Sequence, residues 1–198
     1  MDFDLIIFDA DGTVWDRESG ELLPGVAGAL EMLARARHAP ALAIVTNQGG
    51  PACAEQPWAK PGQFPTLAEV ESRYGALAAR LGARLYMSLA YVTSRGAVLR
   101  PAGVGEDDPR GSLDWRKPAP GMLLAAMQAA GAAPDRTLMI GDRPEDREAA
   151  AAAGCYFRWA QKWFGRGWEP GHDYDLRTGP DLEAYHQLGS VAGGQEEP

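Results

Sequence analysis

The stretch LIIFDADGT, residues 5–13, runs from continuous apolar residues straight into two carboxylates, Asp9 and Asp11. An unbroken apolar run is typical of a strand that is covered on both faces of a parallel sheet. A single Asp after such a strand is usually explained by capping of the turn or helix that follows. Two acids at this place raise the question of whether the strand ends in a chemical site.

Four further apolar runs resemble the first one and alternate with helical patterns. The predicted strands are 4–8, 41–45, 84–89, 137–140 and 155–159, and the predicted helices are 24–37, 66–81, 120–131 and 144–154. Prolines stand near the helix starts, glycines stand near the ends, and Thr66 precedes Glu69 at capping-box spacing. This alternation predicts an α/β fold of three layers, with a parallel sheet between helices on both sides.

Polar side chains directly follow three of these strands. Asp9 and Asp11 follow the first, Thr46 and Asn47 follow the second, and Asp142 comes shortly after the fourth. In a doubly wound sheet, ligands bind beyond the carboxyl ends of the strands, where the strand order reverses. Capping explains one such residue but not three groups of them, so we predict a polar site at this edge of the sheet.

The length and composition of the chain predict a single domain. A chain of 198 residues with 45% hydrophobic residues suits one well-cored domain, which we place at residues 1–188. The tail 189–198 is predicted to be disordered. Two stretches rich in Gly and Pro, 47–65 and 100–115, are predicted to be surface loops that shape a site or move.

Charge and cysteine content narrow the class of protein. A net charge of -8 disfavours a general binder of nucleic acid or of anionic membranes, because both surfaces would repel it. The acidic N-terminus and the lack of an apolar run of membrane-spanning length predict a cytoplasmic protein. Cys53 and Cys155 are too few for a disulfide framework or a four-cysteine zinc site, and we predict two buried thiols.

Four short motifs then occur in the order that is found in one known superfamily. They are DADGT (9–13), VTNQGG (45–50), RKPAPGM (116–122) and GDRPEDREAAAAAG (141–154). Together they resemble the haloacid dehalogenase (HAD) superfamily, and the second and third resemble its small phosphatases related to histidinol-phosphate, heptose bisphosphate and polynucleotide 3′-phosphatases. The resemblance implies a Rossmann-like fold, and the stretch 47–115 is too short and too broken for a large cap domain, so we expect a minimal cap or none.

The resemblance implies that the two opening acids divide the work of phosphoryl transfer. Asp9 would attack phosphorus and form an aspartyl-phosphate. Asp11 would protonate the departing alkoxide and then take a proton from the attacking water, assistance that is typically worth ~10²–10⁴ in rate. Dehalogenases of the superfamily lack an acid at this second position, so Asp11 favours a phosphatase.

The resemblance also implies roles for four residues near the substrate. Thr46 would donate its hydroxyl to a phosphoryl oxygen, and Asn47 would either donate an amide there or hold Asp11. Lys117 would neutralise the transferring phosphoryl group and the crowded carboxylates. Arg116 has a planar guanidinium that suits bidentate phosphate contact, and we expect it to reach the substrate; the alternative is a surface arginine.

A magnesium ion suits an all-oxygen site that engages a substrate phosphate. By resemblance, its ligands would be Asp9, the backbone carbonyl of Asp11, and Asp142. Asp146 would bind a metal-bound water or orient Lys117; its plainer explanation is an acid favoured in the first turn of a helix.

Two segments bear on the substrate. The heptose and histidinol phosphatases commonly carry a zinc loop of cysteines and a histidine before RKP, whereas residues 90–115 contain neither residue type. We therefore expect no structural zinc, and the relatives' substrates do not carry over. The aromatic and basic stretch 156–168 suits base stacking, but we favour packing at the sheet edge and at the rim of the site.

These observations predict a magnesium-dependent phosphatase that hydrolyses a phosphate monoester of a small metabolite through an aspartyl-phosphate. One alternative is a polynucleotide 3′-phosphatase, which the net charge disfavours. The other is a catalytically idle phosphate-binding regulatory protein, which the complete set of catalytic residue types disfavours.

Overall fold

Residues 3–105 and 107–165 are described by a computed structural model. The strands are Leu5–Phe8 (β1), Ala41–Asn47 (β2), Arg84–Ser88 (β3), Tyr91–Val92 (β4), Val98–Leu99 (β5), Thr137–Gly141 (β6) and Tyr156–Trp159 (β7). Five of them form one sheet of parallel strands in the order β3-β2-β1-β6-β7, and β4 pairs with β5 in a separate antiparallel hairpin. The predicted parallel sheet is confirmed.

The helices lie between these strands along the chain. They are Val26–Ala34 (α1), Gly50–Ala54 (α2), Leu67–Leu81 (α3), Gly121–Ala130 (α4), Pro144–Ala153 (α5) and Ala160–Trp163 (α6). The predicted start of α3 is confirmed, because the Thr66 hydroxyl accepts from the Glu69 backbone N–H and the Glu69 carboxylate accepts from the Thr66 backbone N–H at 2.7 Å.

The central strand explains the continuous apolar run at the start of the chain. Ile6 and Phe8 of β1 point into a core cluster with α3, while Leu5 and Ile7 belong to a second cluster on the opposite face with α4 and α5. All four side chains are buried. A strand with helices on both faces has no solvent side on which polar residues would alternate.

The sheet topology positions the predicted site. β1 lies between β2 and β6 and is parallel to both, so the carboxyl ends of all three strands meet at one edge. The strand order reverses between β1 and β6, which is where a doubly wound sheet binds its ligands. The three polar groups are therefore delivered to neighbouring positions, as the sequence predicts.

The stretch 47–65 differs from the prediction of a surface loop. It contains α2, of which Pro51, Ala52 and Cys53 are buried, and Gln48 just before it is buried as well. The Gly- and Pro-rich composition had hidden this short helix. Between β3 and α4 the chain adds the β4–β5 hairpin and a 3₁₀ turn at Pro109–Gly111, which agrees with a minimal cap.

The aromatic stretch begins as the sequence predicts. Phe164 is buried and stacks on Phe8 of β1 with a centroid distance of 6.2 Å, and Tyr156 packs edge-on against Phe3 at 5.7 Å. Both rings belong to the core cluster of buried residues. Residues 166–168 of the stretch, the domain end at 188 and the tail 189–198 lie outside the described residues.

Two further observations concern the described residues. Cys53 and Cys155 are both buried free thiols, as predicted. Within 3–105 and 107–165, none of the helices combines the length and the apolar character needed to cross a bilayer.

Candidate active site

The centre of the site is a buried lysine between two carboxylates. The Lys117 ammonium donates to Asp9 Oδ1 at 2.5 Å, to Asp146 Oδ1 at 2.6 Å and to the backbone carbonyl of Val45 at 3.1 Å. These three acceptors match the three N–H donors of an ammonium group. Lys117, Asp9 and Asp146 are all buried. Lys117 is thus fixed by protein groups, and it forms ion pairs with both carboxylates.

Burial and charge shift the protonation of this group of residues. Burial raises the pKa of Asp9 to about 7; Lys117 opposes the shift, while the Asp146 and Asp142 charges add to it. Burial disfavours the charged form of Lys117, but the neighbouring Asp9 and Asp146 carboxylates outweigh it and raise the pKa of Lys117. The pKa of Asp142 is also raised, mainly by burial and then by Asp146. The site therefore holds a cationic lysine that only partly balances the negative charge of the neighbouring carboxylates.

The carboxylates fit a divalent cation. Asp9, Asp142 and Asp146 bring one oxygen each to within 4.8 Å of one another, and they are the group of this kind found in the described part of the chain. Three carboxylates beside one ammonium leave two negative charges uncompensated. A hard dication that takes oxygen ligands would balance this charge, and magnesium is the ion that such donors suit.

The loop after β1 places Asp142. The Thr13 hydroxyl donates to Asp142 Oδ1 at 3.1 Å. Gly12 has a positive φ of 79°, and a Cβ atom at this residue would lie 2.5 Å from Asp142 Oδ2. The loop therefore approaches Asp142 more closely than any residue with a side chain allows. The glycine and threonine that follow the two opening acids both serve this contact.

Asp146 is held both by Lys117 and by the start of α5. Its Oδ1 accepts from Lys117, and its Oδ2 accepts from the backbone N–H groups of Asp142 at 3.2 Å and Arg143 at 3.0 Å. It lies in the first turn of α5. The orienting role toward Lys117 and the acid at a helix start are thus present together, and both oxygens are engaged by protein donors.

Asp11 accepts hydrogen bonds from three side chains. Tyr74 donates its hydroxyl at 2.7 Å from Asp11 Oδ2 and 2.9 Å from Oδ1, Trp15 Nε1 donates to Oδ1 at 3.0 Å, and Gln48 Nε2 donates to Oδ2 at 2.9 Å. Asp11 is partly exposed, whereas all three donors are buried. The predicted acid/base residue thus lies at the surface of the site and is held by three buried donors.

Asn47 has a different function from one that the sequence suggests. Its amide donates to the Lys117 carbonyl at 2.9 Å and accepts from the Lys117 backbone N–H at 3.1 Å. The hypothesis that Asn47 holds Asp11 is wrong, because Gln48 makes that contact. Asn47 instead ties the RKP segment to the end of β2. Its second N–H remains compatible with a substrate contact.

Thr46 and Arg116 complete the predicted set. Thr46 is buried, and its hydroxyl oxygen accepts from Gln48 Nε2 at 2.9 Å, so its own hydrogen is available to an acceptor. Arg116 donates to the Ala90 carbonyl at 2.9 Å and is partly buried. Burial lowers the pKa of Arg116, and Glu145 opposes the shift. Arg116 is therefore anchored at the edge of the site and is not a freely solvated surface arginine.

Four residues of the site are missing from the sequence prediction: Thr13, Trp15, Gln48 and Tyr74. Three of them lie within the motifs or within two residues of one, so their closeness in sequence to the assigned residues could have identified them. Tyr74 lies on the buried face of α3, where it looks like an ordinary core residue. A buried tyrosine needs a partner for its hydroxyl, and this is the only hint that the sequence offers.

Comparisons with known proteins identify the family of the chain. A family model described as HAD-hydrolase-like matches residues 114–158. A D-glycero-D-manno-heptose-1,7-bisphosphate 7-phosphatase from Thermosynechococcus vestitus is 32% identical over 165 residues, which are 83% of this chain and 79% of the relative. The chain belongs to the HAD superfamily.

A solved structure extends the likeness of this HAD protein to nearly its full length. The D,D-heptose 1,7-bisphosphate phosphatase from B. bronchiseptica, complexed with magnesium and phosphate, is 25% identical with a TM-score of 0.57. The match covers 93% of this chain and 97% of that one. Together with the curated relative, it supports a HAD phosphatase, an enzyme that hydrolyses phosphoric monoesters.

Proposed function

We propose that this HAD phosphatase is magnesium-dependent and hydrolyses the phosphate monoester of a small metabolite through an aspartyl-phosphate on Asp9. The observation that carries the proposal is the buried Asp9 carboxylate, which Lys117 fixes beside Asp142 at the carboxyl end of β1. Asp9, Asp142 and the backbone carbonyl of Asp11 would hold the magnesium ion. When bound, the ion would lower the repulsion between the anionic nucleophile and the anionic phosphate.

The residues divide the two chemical steps. In the first, an Asp9 oxygen bonds to phosphorus, the bond from phosphorus to the ester oxygen breaks, and Asp11 gives its proton to that oxygen. In the second, water attacks the phosphorus of the aspartyl-phosphate, Asp11 takes the proton of that water, and inorganic phosphate leaves. Asp9 is restored as a carboxylate. Thr46 would donate to a phosphoryl oxygen in both steps.

A small substrate suits the net charge of the chain. A net charge of -8 opposes the approach of a polynucleotide, whereas a small phosphate needs only a local pocket with Lys117 and Arg116. The named activity of the curated relative and of the B. bronchiseptica enzyme supports a sugar phosphate as the first class to test. The segment 90–115 has neither Cys nor His and thus lacks the zinc loop that is common in heptose phosphatases. The panel should therefore test other sugar phosphates alongside a heptose bisphosphate.

A chromogenic assay followed by a substrate panel tests the proposal. The wild-type protein should hydrolyse p-nitrophenyl phosphate with magnesium and lose this activity without it. Asp9→Asn should be inactive, while Asp135→Asn, which alters an exposed acid at the opposite end of β6, should match the wild type. Activity that persists in Asp9→Asn would contradict the proposal. The panel should contain sugar, amino-alcohol and nucleoside phosphates.

A further inference from the structure

Asp11 owes its orientation to residues from three separate parts of the fold. Trp15 lies in the same loop, Gln48 follows β2, and Tyr74 belongs to α3, 63 residues along the chain. Asp11 itself lies in the loop after β1 and is part of neither a helix nor a strand. A carboxylate in a loop keeps one direction only when its oxygens are engaged.

Tyr74 is the member of this group that lies far along the chain from all four sequence motifs, whereas Gln48 lies within one and Trp15 lies two residues beyond another. Its ring is 1% exposed and packs edge-on against Trp15 with a centroid distance of 5.5 Å. Its hydroxyl is placed within hydrogen-bond distance of both Asp11 oxygens. The helix that covers one face of the sheet thus reaches the acid/base residue through one side chain.

Gln48 contacts Thr46 as well as Asp11. Its Nε2 lies 2.9 Å from Asp11 Oδ2 and 2.9 Å from Thr46 Oγ1. Because the Thr46 oxygen accepts from Gln48, its own hydrogen is directed elsewhere. One amide group thereby orients the residue that moves the proton and the residue that would donate to the phosphoryl oxygen.

We propose that Tyr74 and Gln48 are positioning residues: Tyr74 aims Asp11 at the leaving-group oxygen, and Gln48 couples that aim to the direction of the Thr46 hydroxyl. The inference rests on the proposed function, because it assigns Asp11 the proton transfer. General acid catalysis requires hydrogen-bond reach to the proton acceptor, so a misdirected carboxyl costs rate even when it is still present. The raised pKa of Tyr74, caused by burial and then by Asp11, keeps its phenol a donor at neutral pH.

The consequence is an effect that depends on the leaving group. An alkyl phosphate needs its leaving oxygen protonated, whereas p-nitrophenolate leaves readily without a proton. Tyr74→Phe keeps the ring and removes only the hydroxyl, so it should lower kcat/KM, which reports the first step, about tenfold more for an alkyl phosphate than for p-nitrophenyl phosphate. Gln48→Met should lower kcat for both esters, because it disturbs Thr46 as well as Asp11.

A double-mutant cycle tests the inference with four proteins and two esters. In the Asp11→Asn background, Tyr74→Phe should cause no further loss on the alkyl ester, because its effect passes through Asp11. Tyr156→Phe is the control: this buried tyrosine packs against Phe3, and its loss of a hydroxyl should leave the ratio of the two rates as in the wild type. Thermal unfolding shows whether each variant is folded.

Each outcome has one meaning. Equal losses from Tyr74→Phe on both esters, or the same loss in the Asp11→Asn background, would overturn the positioning role and leave the proposed function intact. Failure of the wild-type protein to hydrolyse either ester would overturn the proposed function and this inference with it. If Tyr74→Phe does not fold, the Gln48→Met cycle decides: an alkyl-ester loss that is undiminished in the Asp11→Asn background would refute the coupling.

Discussion

The Lys117 ammonium lies 2.5 Å from a carboxylate oxygen of Asp9, and both side chains are buried at the carboxyl end of β1. Lys117 also contacts Asp146, so one positive charge serves two acids, with Asp142 as a third nearby. Removing one partner from a buried ion pair is costly because it leaves an uncompensated charge. Because one ammonium faces three carboxylates, the site keeps an excess of negative charge. A bound dication would balance this charge.

The first prediction separates the two opening acids. Asp9→Asn should abolish turnover, because an amide is a poor nucleophile and a poor magnesium ligand. Asp11→Asn should slow esters with poor leaving groups far more than activated aryl esters, by up to the ~10²–10⁴ that general acid catalysis supplies. The kcat/KM values for an alkyl ester and an aryl ester measure this difference, because they report the first step and not the hydrolysis of the aspartyl-phosphate that both esters share. Equal losses of kcat/KM for Asp11→Asn on both esters would refute the division of labour.

The second prediction concerns the metal and pH. EDTA should remove activity, magnesium should restore it, and calcium should inhibit because it prefers more ligands at longer distances. Since the pKa of Asp9 is raised to about 7, protons and cations compete for the same carboxylate. The apparent affinity for magnesium should therefore fall about tenfold per pH unit below pH ~7 and level off above it.

Titration of activity with magnesium between pH 5.5 and 8.5 measures this competition. An affinity that rises toward low pH would contradict the sign. Elemental analysis of the purified protein should also find no stoichiometric zinc, because segment 90–115 lacks Cys and His. Zinc near one atom per chain would show that this segment is misinterpreted.

The third prediction uses two glycines with similar positive φ values. Gly12 and Gly20 have positive φ values of 79° and 73°, but a Cβ at Gly12 would press on Asp142, whereas one at Gly20 would have nothing within 4 Å. Both substitutions by alanine should cost about 1 kcal/mol of stability through backbone strain. Only Gly12→Ala should also displace Asp142 and weaken magnesium.

Magnesium titrations and thermal unfolding of the two variants test this prediction together. Gly12→Ala should need at least about tenfold more magnesium for half-maximal activity. A matching loss in Gly20→Ala would show that backbone strain, and not the approach to Asp142, sets the metal affinity.

The fourth prediction sets small substrates against polynucleotides. We expect a soluble sugar, amino-alcohol or nucleoside phosphate to have a higher kcat/KM than a 3′-phosphorylated oligonucleotide at the same ionic strength. Arg116→Ala should raise KM for the small substrate more than it lowers kcat, because an anchoring contact is made in the ground state as well. Arg95→Ala, an exposed arginine of the β4–β5 hairpin, is the control.

Salt dependence distinguishes the two substrate classes further. Each phosphate contact along a polynucleotide makes binding fall as salt rises. An oligonucleotide that is preferred tenfold or more, with activity that drops steeply with salt, would replace the small-metabolite proposal with a polynucleotide 3′-phosphatase.

The sequence predicts the parts of the fold and site that depend on local pattern. The strands follow from continuous apolar runs such as residues 5–8, and Asp9, Asp11, Thr46 and Asp142 follow from their place after those runs. The α2 helix is missed because five residues rich in Gly and Pro carry no helical period. Tyr74 is missed because its contact with Asp11 depends on how α3 packs against the sheet, which no local pattern encodes.

The covalent step is tested most directly by trapping the phosphoryl group on Asp9. The protein is mixed with magnesium and an alkyl phosphate, quenched in acid and reduced with borohydride, which converts an aspartyl-phosphate to homoserine. Mass spectrometry of the peptide that contains residues 9–13 should then find homoserine at position 9, and none when magnesium is omitted. Rapid hydrolysis with an unmodified Asp9, or with the modification at Asp142, would contradict the nucleophilic role of Asp9.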